Sequence, residues 1–273
     1  MKRARIFSRG SPLQYQLMPS SRFQFIKPNT SNFASETAGN QRLVEVEKKF
    51  RWVGDNKCVI GDCESLGTKI FTDIYFDTPN YALTTRDIWL RQREKTFECK
   101  IPVPVAHGAT SAVDRYDELT AEEEILHFLE SMKQMGSLVR PKPAFESLPT
   151  LLARGKKPDV GIARDWSLES WLEQNMIRGF TAITTTRRKY RKGKFLIDLD
   201  EVDFGYSIGE VEMLVEEIQV ESAVQEVEAF CRENSFDVRP PIRGKVLEWL
   251  ARYSPKHYNA LQASGLLAAK QAV

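Results

Sequence analysis

Leu43-Val44-Glu45-Val46-Glu47-Lys48-Lys49-Phe50 alternates aliphatic and charged residues as far as a lysine pair and then closes on Phe50. Successive side chains on a strand point to opposite faces. In a strand spanning Leu43–Trp52, Glu45, Glu47 and Lys49 therefore share one face, with Val44, Val46 and Lys48 on the other. The pattern recurs along the chain: Arg91 and Arg93 share a face with Leu90 opposite, and Glu98 and Lys100 share a face of the next strand. Asp198 and Asp200 lie together opposite Ile197 and Leu199, and Glu210 and Glu212 lie together opposite Val211. One such strand is explained by a charged face turned to water, and five of them by strands closing into a barrel. In the barrel, apolar faces turn outward against helices and the charged faces converge. Unpaired buried charge costs several kcal/mol per ion, so the interior of that barrel must hold water, metal and a highly charged ligand. Carboxylates are the hard oxygen donors that Mg²⁺ or Mn²⁺ prefers, and Arg and Lys suit phosphate oxygens. Both sets together point to a metal–polyphosphate complex.

Working outward, Ile70–Phe76 reads as a strand closed by the turn Asp77-Thr78-Pro79-Asn80. Asp87–Arg93 with Thr96–Ile101 reads as a hairpin, and Phe180–Arg191 with Lys194–Leu199 as another, turning at Lys192-Gly193. Glu210–Val220 alternates again, which makes about seven strands by this count. A capping box of Thr120 and Glu123 starts a helix carrying Ile125, Phe128, Leu129 and Met132 as far as Gly136. A second box, Ser222 with Gln225, precedes Val224, Val227, Phe230 and Cys231, and a third helix begins near Gly244 with Val246, Leu247 and Leu250. Trp166–Met176 is a short extra helix. Residues 136–165, with four prolines, read as an irregular surface excursion.

The chain has 273 residues, 39 basic and 37 acidic. Six of the basic residues and none of the acidic ones fall within residues 1–35. The remainder carries a slight acidic excess, which excludes the basic surface of a nucleic-acid binder. No apolar run approaches the roughly 18 residues of a membrane span. Four cysteines (Cys58, Cys63, Cys99, Cys231) and three scattered histidines (His107, His127, His257) give neither a disulfide scaffold nor a zinc site, and a reducing compartment is expected. Residues 1–35 are basic, serine-rich and free of acid, the composition of a mitochondrial transit peptide. A disordered tail on a cytoplasmic protein is the competing reading.

The combination of Glu45-Val46-Glu47-Lys48-Lys49, Tyr75-Phe76-Asp77-Thr78-Pro79, Trp89-Leu90-Arg91-Gln92-Arg93, Glu98-Cys99-Lys100, Glu118-Leu119-Thr120, Asp198-Leu199-Asp200, Asp203-Phe204-Gly205-Tyr206, Gly209-Glu210-Val211-Glu212 and Gly244-Lys245 resembles the triphosphate tunnel metalloenzymes of the CYTH superfamily, and within them the thiamine triphosphatases. The resemblance covers about residues 43–258. It implies an α+β fold, an eight-stranded antiparallel β-barrel with flanking helices. The tunnel domain is expected over 41–260 and a C-terminal tail over 261–273, with the basic leader over 1–40 read from its composition as an addition to the family pattern. The resemblance also implies Mg²⁺-dependent hydrolysis, with Mn²⁺ as a substitute, of a small-molecule triphosphate by a monomer that binds no nucleic acid or membrane. Carried over residue by residue, Glu45, Glu47, Glu118, Asp198, Glu210 and Glu212 are implied metal ligands, with Asp200 beside them. Lys49, Tyr75, Trp89, Arg91, Arg93, Lys100, Arg187 and Lys245 are implied to bind substrate, and Lys49, Lys100 and Arg187 to take part in catalysis. Arg188 is the alternative to Arg187 if the register slips by one. Trp89 either stacks on a heteroaromatic ring or fills a core. The attacking water is activated either by metal or by Lys49 as base. An inorganic triphosphatase and a non-catalytic polyphosphate-binding module are the competing functions.

Every signature residue lies after residue 42. A chain lacking residues 1–40 should keep its full hydrolytic rate, and those 40 residues fused to a fluorescent reporter should carry it into mitochondria. A cytosolic reporter would reject the transit peptide.

Overall fold

A computed structural model describes residues 43–52, 61–103, 113–139 and 167–271. The leader, Cys58, His107, Trp166 and most of the proline-containing 136–165 segment lie outside these residues. Among the described residues eight antiparallel strands close into a barrel: β1 (Leu43–Phe50), β2 (Glu64–Asp77), β3 (Trp89–Arg93), β4 (Thr96–Pro102), β5 (Asp114–Leu119), β6 (Arg178–Lys192), β7 (Phe195–Val202) and β8 (Tyr206–Glu216). Their order around the barrel is β1-β5-β4-β3-β2-β6-β7-β8. The helices are α1 (Glu122–Gln134), α2 (Leu168–Gln174), α3 (Val220–Glu233), α4 (Lys245–Tyr253), α5 (Pro255–Ala263) and α6 (Leu266–Gln271).

Alternation decides what each face meets. Outward Val44, Val46, Ile197, Leu199 and Val211 are buried under Val224, Val227 and Phe230 of α3. Outward Leu90, Cys99 and Ile101 are buried under Ile125, Leu129 and Met132 of α1 and Trp171 and Leu172 of α2. Tyr75, Ile183 and Val202 share strand parity with the inward charges, yet bury with Val246, Leu247, Leu250 and Leu261 of α4 and α5. One end of the bore is thus apolar and the rest is charged. At the seam between β1 and β8 the backbones approach closely: Phe50 pairs with Gly209, and a Cβ on Gly209 would fall 2.1–2.5 Å from the Phe50 ring. Only glycine fits under that ring.

Several boundaries differ from the sequence expectation. β1 stops at Phe50 rather than Trp52, because Arg51 leaves the barrel to bridge Asp237 and donates to the carbonyls of Arg239 and Pro241. β2 begins at Glu64, six residues before the expected start, and runs along β6 through an irregularity at Gly67. β5 was expected only as a short motif match. Asp87 stands outside β3 with a left-handed φ of 62°. Neither expected capping box forms: α1 is preceded by Ala121 with no side-chain cap, and Ser222 lies within α3, where its hydroxyl donates to the Gln219 carbonyl. The box that does form pairs Glu216 with Gln219, one turn earlier. β8 accordingly ends at Glu216 rather than Val220.

Beyond β2, the Asp77 carboxylate accepts N–H bonds from Thr78, Leu83 and Thr84 at 2.7–2.9 Å and pins the following turn. α5 docks on that turn through His257, whose Nε2 is 2.7 Å from the Thr84 hydroxyl and whose ring stacks on Tyr81 at 3.9 Å. Burial pushes the His257 imidazole down to about 4. The unfolded chain takes up this proton near pH 6.5. Stability present above that pH is therefore lost as the pH falls toward 4, by about 2–3 kcal/mol in all. His257→Gln keeps a hydrogen-bonding group and removes the titration. Between pH 7 and pH 4.5 the wild type should lose about 2 kcal/mol more urea stability than the variant, and equal losses would exclude His257 as the acid-sensitive group.

Candidate active site

The bore encloses a cavity of about 740 Å³, within the range of small-molecule sites. Glu45, Glu47, Lys49, Tyr75, Trp89, Arg91, Arg93, Lys100, Glu118, Arg187, Glu210, Glu212 and Lys245 all line it. Asp198 and Asp200 lie fully buried behind them. The sequence-selected residues thus come together from β1, β2, β3, β4, β5, β6, β7, β8 and α4. Arg187 faces the bore and Arg188 faces outward, paired with Glu201 at 2.9 Å, which settles the register. Trp89 is half-buried at the cavity wall, with its indole N–H donating to Asp87 at 2.8 Å.

The charges are knitted together. Arg187 forks onto Asp200 through two bonds of 2.7 Å, touches Asp198 and reaches Glu210 at 3.3 Å. Arg93 forks onto Asp73 at 2.7 and 2.9 Å. Arg91 donates to Glu98 at 2.7 Å and lies 3.5 Å from Glu118. Lys100 spans Glu45 at 2.5 Å and Glu47 at 3.1 Å. Lys49 contacts Glu47 and bonds Asp114 at 2.8 Å. Lys245, the first residue of α4, contacts Asp200, placing its ammonium at the helix N-terminus.

Across the β1–β8 seam Glu47 stands directly opposite Glu212, and Lys49 opposite Glu210. Like charges facing each other across a strand pair repel. Burial pushes the Glu45 carboxyl up to about 8 against the pull of Lys100, and Asp198 up to about 6 against that of Arg187. Burial would also raise Glu47, but Lys100 and Lys49 outweigh it and hold the carboxyl well below its usual range. For Asp200, Lys245 and Arg187 overcome burial and hold it down at about 2. Burial would strip the proton from Lys49, but Asp114, Glu47 and Glu210 outweigh it and hold the ammonium well above the usual lysine range.

Among the described residues no three Asp, Glu, His or Cys side chains stand close enough together to hold a metal ion as they are. Lysines and arginines are interposed between the carboxylates. The donors are all oxygen, and two buried ones, Glu45 Oε2 and Asp198 Oδ1, have only an ammonium for a partner, Lys100 at 2.5 Å and Lys189 at 3.3 Å. This set fits a hard divalent cation once the intervening ammonium groups give way.

Sequence reasoning passed over Asp73, Asp114, Tyr116 and Lys189, all of which face or support the bore. For Asp73 and Lys189 the signal was available, two residues before Tyr75 and two after Arg187. For Asp114 and Tyr116 the β5 strand itself had to be found first.

The CYTH domain family model matches residues 44–235. The chain belongs to the CYTH domain family. It is 28% identical over 225 residues to the thiamine-triphosphatase of Homo sapiens, across 81% of this chain and 90% of that protein. The thiamine-triphosphatase of Macaca fascicularis matches at the same identity and coverage. Among solved structures, the PH1819 protein of Pyrococcus horikoshii OT3 is 20% identical with a TM-score of 0.45, covering 76% of this chain and 98% of that one. The family match spans every site residue selected from the sequence except Lys245, which α4 brings back to Asp200.

In this CYTH domain Arg91 and Arg93 sit two residues apart on one strand, about 7 Å by strand rise. That reach suits two phosphates of one chain. Arg91→Ala and Arg93→Ala should each lower kcat and kcat/KM by about 100-fold or more, several kcal/mol of transition-state stabilisation. Arg→Lys should recover little, since a point charge does not replace a fork. Melting curves separate catalytic loss from the cost of leaving Asp73 buried and unpaired. Near-wild-type rates in folded variants would remove both arginines from the site.

Proposed function

We propose that this chain hydrolyses thiamine triphosphate to thiamine diphosphate and phosphate, with Mg²⁺ or Mn²⁺ as cofactor. As a member of the CYTH family it is a triphosphatase, a hydrolase of phosphoric anhydrides. The observation that carries the reading is the closed bore in which cations from β1, β3, β4, β6 and α4 face carboxylates from β1, β7 and β8. Phosphoryl transfer asks for charge neutralisation and positioning rather than covalent chemistry, and this wall of alternating charge supplies both.

Arg91, Arg93, Lys100 and Arg187 clamp the terminal phosphates and stabilise the charge that grows as the anhydride P–O bond breaks. Lys245 adds an ammonium to the anion-binding end of α4. Lys49 stays protonated and donates. Glu45, Glu47, Glu210 and Glu212, with Asp198 and Glu118 nearby, would hold the divalent cation, which neutralises phosphoryl oxygens when bound. Water attacks the terminal phosphorus, and thiamine diphosphate leaves.

The thiamine end is supported by Trp89 at the cavity wall, with Tyr75, Val246 and Leu247 lining it nearby. A cationic thiazolium ring suits the face of an indole, and Asp87 beside Trp89 favours a positive ring. No helix among the described residues is long and apolar enough to cross a membrane, and the proposed substrate is a small molecule in solution.

Phosphate release from thiamine triphosphate, tripolyphosphate and ATP, with and without Mg²⁺, tests the reading. Thiamine triphosphate should give the highest kcat/KM, excess chelator should abolish turnover, and Trp89→Ala should raise KM for thiamine triphosphate alone, by about tenfold. Tripolyphosphate as the better substrate, with Trp89→Ala neutral, would make the enzyme an inorganic triphosphatase. Full turnover in chelator would remove the metal.

A further inference from the structure

Lys189 follows Arg187 by two residues on β6, shares its face and lines the same cavity. Its ammonium lies 2.8 Å from Glu212 Oε1 and 3.3 Å from Asp198 Oδ1. The two β6 cations are held very differently. Arg187 is a planar fork fixed by three carboxylates, with 15% of its side chain exposed. Lys189 is a point charge on a flexible stem, and at 33% exposed it has more room than any other cation placed in the site. One of its partners, Glu212, is the carboxylate that stands opposite Glu47 across the β1–β8 seam. The ammonium therefore supplies positive charge at the place where two strands present like negative charges.

We propose that Lys189 is a positioning residue that holds Glu212 and Asp198 until a divalent cation enters, and that the cation must displace its ammonium to reach them. This rests on the metal reading above. Unlike the forked Arg187, Lys189 is a single point charge on a flexible, more exposed stem, so a cation reaching for Glu212 and Asp198 meets it as a competitor that can swing aside. Lys189 would thus set how much divalent cation the enzyme needs, without itself touching the transferring phosphate. Removing its charge should tighten cation binding in the absence of any substrate.

Mn²⁺ binding to the full, substrate-free chain, read from the loss of the free-ion electron paramagnetic resonance signal, tests this directly. Lys189→Met should bind Mn²⁺ at least about tenfold tighter than wild type, the scale of one partly screened unit charge at contact range. Lys189→Gln, which keeps a hydrogen-bonding group, should shift the same way and serves if the methionine variant melts early. Arg188→Met removes a positive charge from the outer face of the same strand and should leave Mn²⁺ affinity unchanged. The Mg²⁺ concentration for half-maximal turnover should fall in parallel in the Lys189 variants. Equal or weaker Mn²⁺ affinity in both folded Lys189 variants would overturn the inference, and so would a raised KM for thiamine triphosphate at unchanged Mn²⁺ affinity, which would make Lys189 a phosphate ligand. A wild-type protein that takes up no Mn²⁺ at millimolar concentration would overturn the metal reading and this inference with it.

Discussion

Closing a sheet on itself sends every second side chain into a common bore, and here those side chains are ions. Isolated, each would cost several kcal/mol to hold away from bulk water. They persist because cation and carboxylate alternate from strand to strand. Arg187 joins β6 to β7 and β8, Lys100 joins β4 to β1, and Arg91 joins β3 to β4 and β5. The same contacts that would bind a triphosphate also tie neighbouring strands together across the bore. Fold and site thus draw on one set of residues, the outer apolar face is left free to bury two groups of helices, and a third, α4 and α5, packs on the inward-parity Tyr75, Ile183 and Val202.

A polar interior of this kind is organised before a ligand arrives. Binding a triphosphate exchanges partners within the bore rather than creating order from disorder, so little is spent on immobilising long side chains at the moment of reaction. Arg93 illustrates the point: its guanidinium is forked onto Asp73 and lies 3.9 Å from the centre of the Phe71 ring, so it is already aimed. The cost falls instead on the carboxylates. Burial, with Glu47 and Glu212 close by, pushes the Glu45 carboxyl up to about 8 against the pull of Lys100.

Strand parity made most of this legible from the amino-acid sequence. Glu45, Glu47, Lys49, Arg91, Lys100, Glu210 and Glu212 could be placed on one interior surface because each has an apolar neighbour marking the other face, and Arg93 follows from Arg91 two residues before. The reading failed where that contrast is missing. In Asp114-Arg115-Tyr116-Asp117-Glu118 both faces carry charge, because outward Arg115 pairs with Glu221 at the start of α3, and no alternation announces β5. In Arg187-Arg188-Lys189 three cations follow one another, so only parity counted from Arg187, with no apolar residue between them, marks Lys189 as inward. The start of β2 was missed because Glu64-Ser65-Leu66-Gly67-Thr68-Lys69 carries a single apolar residue and no alternation, although pairing with β6 extends the strand. Helix starts were misplaced for a related reason: a Ser or Thr followed by Glu or Gln three residues on is common, and the packing of α1 and α3 decided where each helix begins.

The ring order β1-β5-β4-β3-β2-β6-β7-β8 closes without a terminal strand. A sheet with ends offers a row of unsatisfied amides to any extended peptide, including another copy of itself. This barrel has spent those amides on its own circumference. Side-by-side strand addition, the common route from a β-rich fold to ordered aggregates, would require the ring first to break, and the ion pairs across the bore are what hold it shut.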